Sequence, residues 1–368
     1  MIGNSKLPFH KKTAVVLFQL GGPDSLEAIE PFLYNLFMDP DIIDFPGAFF
    51  ARKPLAKFIS SRRSMKVAEN YKQIGGKSPI LDLTQRQASA LESVLRLQNI
   101  NARVFIAMRY WHPMIDEVVQ RIKADGFEQV ILLPLYPQFS QATTLSSMNE
   151  WKRQTKEQGC VTPIKLVCCY PTQPLFVEAL MENINSALGR FHKIASTDID
   201  LIFSAHGVPL SYIKRGDPYQ LQIEETVRCI VERGKWNSPS TLCYQSKVGP
   251  MKWLKPSLME KVEHLAGKDR KHLLVIPVAF VTDHIETLHE INIDVRRHAM
   301  AHGVQQFELM PALNDHPKFI QCLAELVQVQ LVSDIQPNTC KALWKNHRDR
   351  PIPTLCPWSK SQIEKNKF

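Results

Sequence analysis

The sequence predicts an α/β fold, with parallel sheets covered by helices, built twice over. Three observations carry this. Short apolar runs alternate with segments of helical period along most of the chain. Those runs end in Gly, Pro, Tyr or His. The second half repeats the theme of the first at uneven offsets, so the duplication is one of fold and not of sequence. In open α/β sheets ligands bind beyond the C-terminal ends of the strands, which is where the unusual residues of this chain lie.

Taken in order, residues 13–20 (TAVVLFQL) read as a buried strand that runs into the turn Gly21-Gly22-Pro23. Asp24 or Ser25 is the expected N-cap of the helix that follows. Residues 37–60 mix Phe45, Phe49, Phe50, Leu55, Phe58 and Ile59 with Arg52, Lys53 and Lys57, without a strict period. Helical pattern is expected over about 62–72 and again over 82–97, separated by the turn at 74–79. Residues 103–110 read as a strand, and 115–125 as a helix stopped by Gly126. Residues 129–135 form another strand, ending in Tyr136-Pro137-Gln138-Phe139-Ser140.

In the second half, strands are expected over 200–204, 240–245 and 273–277. The boundary falls near 165–174, which gives units 1–165 and 166–333. After Ser333 the composition turns polar and basic, so 334–368 reads as a tail.

The chain has 368 residues, 44% hydrophobic and 22% charged, as expected of an ordinary globular protein. No stretch approaches the roughly 20 apolar residues of a membrane span. The N-terminal residues carry no secretory pattern and too little Arg for a transit peptide. A net charge of +9 suggests anionic partners: nucleic acid, an anionic membrane or an acidic small molecule. No basic-aromatic pattern of a nucleic-acid module accompanies it, and no nucleic-acid partner is expected. The eight cysteines form no C-x-x-C pair, so zinc-ribbon and ferredoxin spacings are absent.

The most distinctive stretch is 277–294 (PVAFVTDHIETLHEINID). Asp283, Glu286, Glu290 and Asp294 stand three, four and four residues apart, which on a helix aligns their carboxylates on one face. Like charges at that spacing repel, so a metal ion, protons in transit or nearby cations must offset them. The plainer reading is a solvated helix side. Against it, the segment follows a strand directly, and Asp283, Glu286 and Glu290 have no Lys or Arg four residues on.

His206, in Ser204-Ala205-His206-Gly207, sits just past a strand and suits a base or a metal ligand as well as a loop histidine satisfied by backbone. Arg63, Lys66, Tyr71 and Ser78 make a cationic, hydroxyl-bearing group beside the apolar 45–59 stretch. That group suits a flat apolar ligand bearing carboxylates, or simply a solvated surface. Gly76-Lys77-Ser78 is no P-loop, because Tyr71 stands where glycine is required.

Several of these segments together resemble the ferrochelatase family, which inserts Fe2+ into protoporphyrin IX. They are Leu20-Gly21-Gly22-Pro23, Tyr71 with Ile74-Gly75-Gly76 and Ser78-Pro79-Ile80, Met108-Arg109-Tyr110, Tyr136-Pro137-Gln138-Phe139-Ser140, Ser204-Ala205-His206-Gly207, residues 244–250, and Phe280 with Asp283-His284 and Glu286-Thr287-Leu288. The likeness spans about residues 13–331.

It implies two similar Rossmann-like domains around a central cleft. It implies that His206 and Glu286 line the metal and porphyrin site, with His206 as the base for pyrrole protons or as first metal ligand, and Asp283 beside them. Tyr136, Glu290 and Asp294 are implied as a path for protons or metal. Leu20, Arg109, Tyr110 and Phe280 are implied as pocket residues, and Arg63, Lys66, Tyr71 and Ser78 as facing the propionates. The resemblance implies Fe2+ as substrate and no prosthetic group. A [2Fe–2S] cluster is not expected, because Gln141 stands at the first cluster position and the tail holds only Cys340 and Cys356.

A cytoplasmic bacterial enzyme is expected, peripheral on the inner membrane through the aromatic-basic 45–58 stretch. No motif bears on oligomeric state. The other readings of the same fold are insertion into coproporphyrin III and a non-catalytic porphyrin or haem carrier.

Overall fold

The computed structural model of the chain describes residues 11–42, 48–246 and 251–332, with residues 48–50 described by backbone alone. In the first half, β1 (Thr13–Gln19) leads to α1 (Ile29–Met38), α2 (Ala48–Lys72) and α3 (Ile80–Leu97). Then come β2 (Ala102–Met108), α4 (Ile115–Asp125) and β3 (Gln129–Pro134). A π-helical turn at Gln141–Leu145 runs into α5 (Ser146–Glu157), followed by β4 (Ile164–Leu166) and α6 (Pro174–Leu188). The second half has β5 (Ile199–His206), α7 (Leu210–Lys214), α8 (Tyr219–Gly234), β6 (Ser240–Gln245), α9 (Leu258–Ala266) and β7 (His272–Pro277). A second π-helix, Glu286–Val295, continues into α10 (Arg296–Ala301), then β8 (Gln306–Leu309) and α11 (Pro317–Val332).

Each half holds a four-stranded parallel sheet, in the orders β2-β1-β3-β4 and β6-β5-β7-β8. The order is the same, and in both sheets the loop after the third strand enters a π-helical segment. The predicted duplication is thus one of topology. β1 reads TAVVLFQ and is buried at every position, as an inner strand of a helix-covered sheet must be. The strands β4 and β8 went unpredicted. They are edge strands of 3 and 4 residues, too short to show a period.

Two helix starts differ from expectation. α1 begins at Ile29, and the Ser25 hydroxyl instead accepts the Ala28 N–H at 3.2 Å in the preceding turn. α2 begins at Ala48, well before residue 62. It buries Ala56 and Tyr71 against α1 yet leaves Phe58 and Met65 63% and 74% exposed. Apolar residues on both faces hide the helical period from the sequence. Gly126 does cap α4, with φ 64°.

One apolar core draws on both sheets, with Leu17 and Leu133 from the first and Phe203 and Ile276 from the second. α11 packs across α6 and α3, so the chain's last described helix returns to the first sheet. Phe45, Lys247–Pro250 of one motif, and the tail with Cys340 and Cys356 lie outside the described residues, as do the side chains of Phe49 and Phe50.

Candidate active site

The C-terminal ends of β5, β6 and β7 converge on His206. It is the last residue of β5, and its Nδ1 lies 2.8 Å from Oε2 of Glu286, the first residue of the π-helix. Glu290 lies one turn further on. Its two oxygens accept the N–H and the hydroxyl of Ser246, at 2.9 and 2.7 Å, just past β6. An i→i+5 helix needs more than four residues per turn, so side chains four apart still share a face. The predicted alignment of Glu286, Glu290 and Asp294 therefore survives the change from α to π winding.

Glycine makes this convergence possible. A Cβ on Gly207 would lie 2.9 Å from the Gln245 carbonyl and 3.2 Å from that of Ser246. The Gly207 N–H donates to the Gln245 carbonyl at 2.7 Å, which draws the β6 end in beside His206. Ser246 itself sits at φ 59°, the left-handed region that a side chain rarely adopts. The two bonds to Glu290 hold it there. Gly22 plays the same part in the first half, where a Cβ would lie 2.5 Å from the Ser78 hydroxyl.

The three groups differ in proton affinity. Burial pulls the His206 imidazolium down, but the Glu286 charge and hydrogen bond, with Glu290 behind, outweigh it and hold its pKa above the ordinary value. Burial favours neutral Glu286, but the charge and hydrogen bond of His206, with His284, keep it ionised well below the usual carboxylate range. Glu290 goes the other way: burial first, then the Glu286 charge, raise its pKa against the Ser246 bonds. An imidazole with a raised proton affinity and an ionised carboxylate thus stand in front of a carboxyl that holds its proton more tightly than usual. This arrangement can accept a proton at His206 and take up another behind it. His206 and Glu286, one nitrogen and one oxygen, also suit a divalent ferrous ion.

Phe280 sets its ring edge against His206 (centroids 6.1 Å apart) and against His284 (4.6 Å). Tyr71 is buried beside Ser78, and burial and the Glu286 charge raise its pKa against the Ser78 hydrogen bond, which leaves its hydroxyl protonated. Ile285, next to Glu286, packs on the cluster that holds Tyr71, Tyr110 and Leu20. Arg63 and Lys66 project from the exposed side of α2, with the Arg63 guanidinium 5.7 Å from the Phe37 ring centre.

Other expected site residues are placed differently. Asp283 is not on the acidic face. Its Oδ1 accepts from the Thr287 hydroxyl (2.9 Å) and the Ala312 N–H (3.2 Å), and its Oδ2 from the Asn314 amide (2.8 Å). Three donors turn that carboxylate into a loop anchor. Tyr110 is fully buried, and its hydroxyl donates to Asp39 Oδ2 at 2.6 Å, so it supports the pocket from behind and does not line it. Arg109 pairs with the same Asp39 oxygen at 3.1 Å and donates from Nε to Ser146 at 2.8 Å; Ser146 also donates to Asp39. Tyr136 is partly buried beside Ser147 and the Arg109 charge, where desolvation raises its pKa. Asp294 is 42% exposed and pairs with Arg297 and His289, which puts it at the outer end of the line.

The structure adds residues that drew no role from sequence. Ser246 and His284 belong here, and both lay inside quoted motifs. Gln138 and Ser140 of the 136–140 motif tie the halves together: Gln138 donates to Thr226 and the Val278 carbonyl, and Ser140 to Asp217. Gln19 reaches Thr282, and Gln87 reaches the Val281 and Asn314 carbonyls. These buried amides and hydroxyls thus fix the seam under the site.

A family model described as Ferrochelatase matches residues 12–331. The ferrochelatase of Geobacter metallireducens is 46% identical over 318 residues, 86% of this chain and 98% of that protein. That of Geotalea uraniireducens is 46% identical over 324 residues, 88% of this chain and 99% of that one. The ferrochelatase of Gloeothece citriformis is 44% identical over 319 residues, 86% of this chain and 82% of that one. Among solved structures, SirB from Bacillus subtilis with Fe3+ superposes with a TM-score of 0.53 at 11% identity, over 87% of this chain and 96% of that one. At that identity the likeness is one of fold.

Proposed function

This chain belongs to the ferrochelatase family of metal chelatases, and on that premise we propose that it inserts Fe2+ into protoporphyrin IX as the terminal step of haem formation. The observation that carries this reading is the His206–Glu286 pair at 2.8 Å, with Glu290 clamped to Ser246 behind it. Insertion replaces two pyrrole N–H protons with one metal ion. Those protons need an acceptor whose pKa lies near neutrality, which is the property of imidazole.

In this reading His206 takes a pyrrole proton, and Glu286 stabilises the imidazolium that forms. Glu290 passes protons outward to Asp294, and from there to solvent. Before it takes the pyrrole proton, the neutral His206 ring, with Glu286, holds the incoming ferrous ion. Phe280 and Leu20 press on the macrocycle, and the bent ring presents its nitrogens. Arg63 and Lys66 receive the propionates from the exposed side of α2. Asp283, Tyr110, Tyr136 and Arg109 act by holding the walls in place. The reaction as written needs no redox group, and no [2Fe–2S] cluster is assigned.

The test is an anaerobic assay with Fe2+ that follows porphyrin absorbance, run on protoporphyrin IX and coproporphyrin III. Faster turnover of protoporphyrin IX is the expected result. Faster turnover of coproporphyrin III would reverse the substrate assignment. Unchanged absorbance for both, with His206→Ala no different, would leave a binding protein in place of an enzyme.

No helix among the described residues is long and apolar enough to cross a membrane. Leu55, Phe58 and Met65 nonetheless lie exposed along α2, beside Arg62 and Lys66. That combination of apolar and cationic groups suits the interface of an anionic bilayer. We place the enzyme in the cytoplasm, docked peripherally on the inner membrane. Co-sedimentation with anionic liposomes, weakened by Phe58→Ser, checks it; no binding by the unaltered chain would remove the idea.

A further inference from the structure

A second cluster of ligating side chains lies beyond the outer end of the acidic line. Glu263 on α9 and His298 and His302 at the end of α10 bring one ligand atom each within 4.8 Å of one another. The two histidines are four residues apart, so a helical turn brings their rings together, tilted by 42° with centroids 4.3 Å apart. His298 Nε2 lies 2.9 Å from Glu263 Oε1. His302 Nδ1 lies 2.8 Å from the His298 carbonyl. A carbonyl only accepts, so that nitrogen carries the proton. That leaves Nε2 as the ring atom available to a metal, and the backbone contact is the kind that orients a metal-bound imidazole.

We propose that Glu263, His298 and His302 form a surface site for one borderline divalent transition cation, such as Zn2+, Co2+ or Ni2+, separate from the site at His206. Two imidazoles and a carboxylate are a three-ligand set for such an ion, with the fourth position left to water. Metal–ligand distances of about 2.0–2.2 Å put ligand atoms roughly 3.3–3.5 Å apart, so side-chain rotation alone closes this cluster. The ion takes the place between Nε2 of His298 and the Glu263 carboxylate. The Nε2 proton moves to Nδ1 of the same ring, or leaves to solvent when the ring starts as imidazolium. Binding therefore weakens as pH falls through the imidazole range. The hard cations Mg2+ and Ca2+, which prefer oxygen, compete poorly. An ion held here joins α9 to α10, the helix that continues directly from the π-helix carrying Glu286 and Glu290.

The experiment is equilibrium dialysis of the full chain, stripped of metal, against Zn2+ at neutral pH. It is run on the unaltered protein and in a His206→Ala background, so that the count at this site is independent of the chelatase reading. In that background one ion is expected per chain. Adding His302→Ala is expected to weaken it more than about 10-fold, since loss of an outer partner alone produces that much. Co2+ at the same site should give the visible absorption of four-coordinate cobalt, lost in Glu263→Gln/His298→Ala. All three residues lie on or near the surface, so circular dichroism should be unchanged. Zn2+ binding that is the same with and without His302→Ala, or no binding at all in the His206→Ala background, overturns the proposal.

Discussion

Replacing Glu286 by glutamine keeps the size of the side chain and removes its charge. Glu286 Oε2 lies 2.8 Å from His206 Nδ1, with the two side chains 22% and 34% exposed. A hydrogen bond to a charged group in such a place contributes about 1.5–3 kcal/mol, with partial exposure favouring the lower end. At 1.36 kcal/mol per tenfold, losing it should lower kcat roughly 10- to 100-fold. The pH profile should move as well. Glu286 holds the His206 pKa up against burial, so its loss leaves burial dominant and the imidazole titrates lower. Free base then persists to lower pH, and the acid limb of kcat/KM should shift downward even as the plateau falls. The assay is anaerobic insertion followed by loss of porphyrin fluorescence across pH, with the His206 ring titrated by NMR. An unchanged plateau together with an unchanged acid limb would refute the coupling.

Stability should follow the same pair. Glu286, lowered to about 2, adds stability above its ordinary 4.5 that is lost as pH falls through the lowered value; His206, raised, adds stability below its ordinary 6.5 that is lost as pH rises through the raised value. The Tm deficit of His206→Ala should therefore be largest between about pH 4.5 and 6.5 and shrink on either side, as scanning calorimetry can read. Glu290 has the opposite sign from Glu286, because its raised pKa means that ionisation opposes folding. Glu290→Gln can still accept the Ser246 N–H and instead donate its amide to the Ser246 hydroxyl, so it should melt higher than the unaltered protein at pH 8, while inserting iron more slowly. Asp283→Asn puts an amide donor into a site built of donors, the Thr287 hydroxyl, Ala312 N–H and Asn314 amide. It should cost about 1–3 kcal/mol in denaturant unfolding, more than Glu286→Gln does. Gly207→Ala sets a methyl 2.9 Å from the Gln245 carbonyl and should slow insertion by displacing Ser246 from Glu290; normal turnover would show the loop can yield.

His206, Glu286 and Glu290 were legible because their signals are local. A histidine ends an apolar strand, and carboxylates recur every fourth residue without cationic neighbours. Asp283, three residues before Glu286, has another task, because Asn314 and the Ala312 N–H, about 30 residues downstream, supply the donors that claim it. Tyr110 and Arg109 sit in a quoted motif. Their partner Asp39 lies some 70 residues upstream, and only packing shows that the pair is turned inward. The helix from residue 48 escaped detection because its apolar residues serve two faces, one against α1 and one exposed.

The sequence by itself determined the alternation that makes two parallel sheets, the acidic spacing after β7, and a set of motifs specific enough to identify the family. These are short-range properties: short apolar runs, a period of about four residues, and turns that need glycine. The tertiary structure alone decided which carboxylate faces His206, which becomes a loop anchor, and which holds its proton. Those outcomes depend on burial and on donors brought from distant segments. Ser246, in a left-handed conformation between Gly207 and the π-helix, sets the proton affinity of Glu290 together with burial and the Glu286 charge. The physical reason is that a carboxylate's role is set by the charges and hydrogen bonds around it, which chain order does not contain.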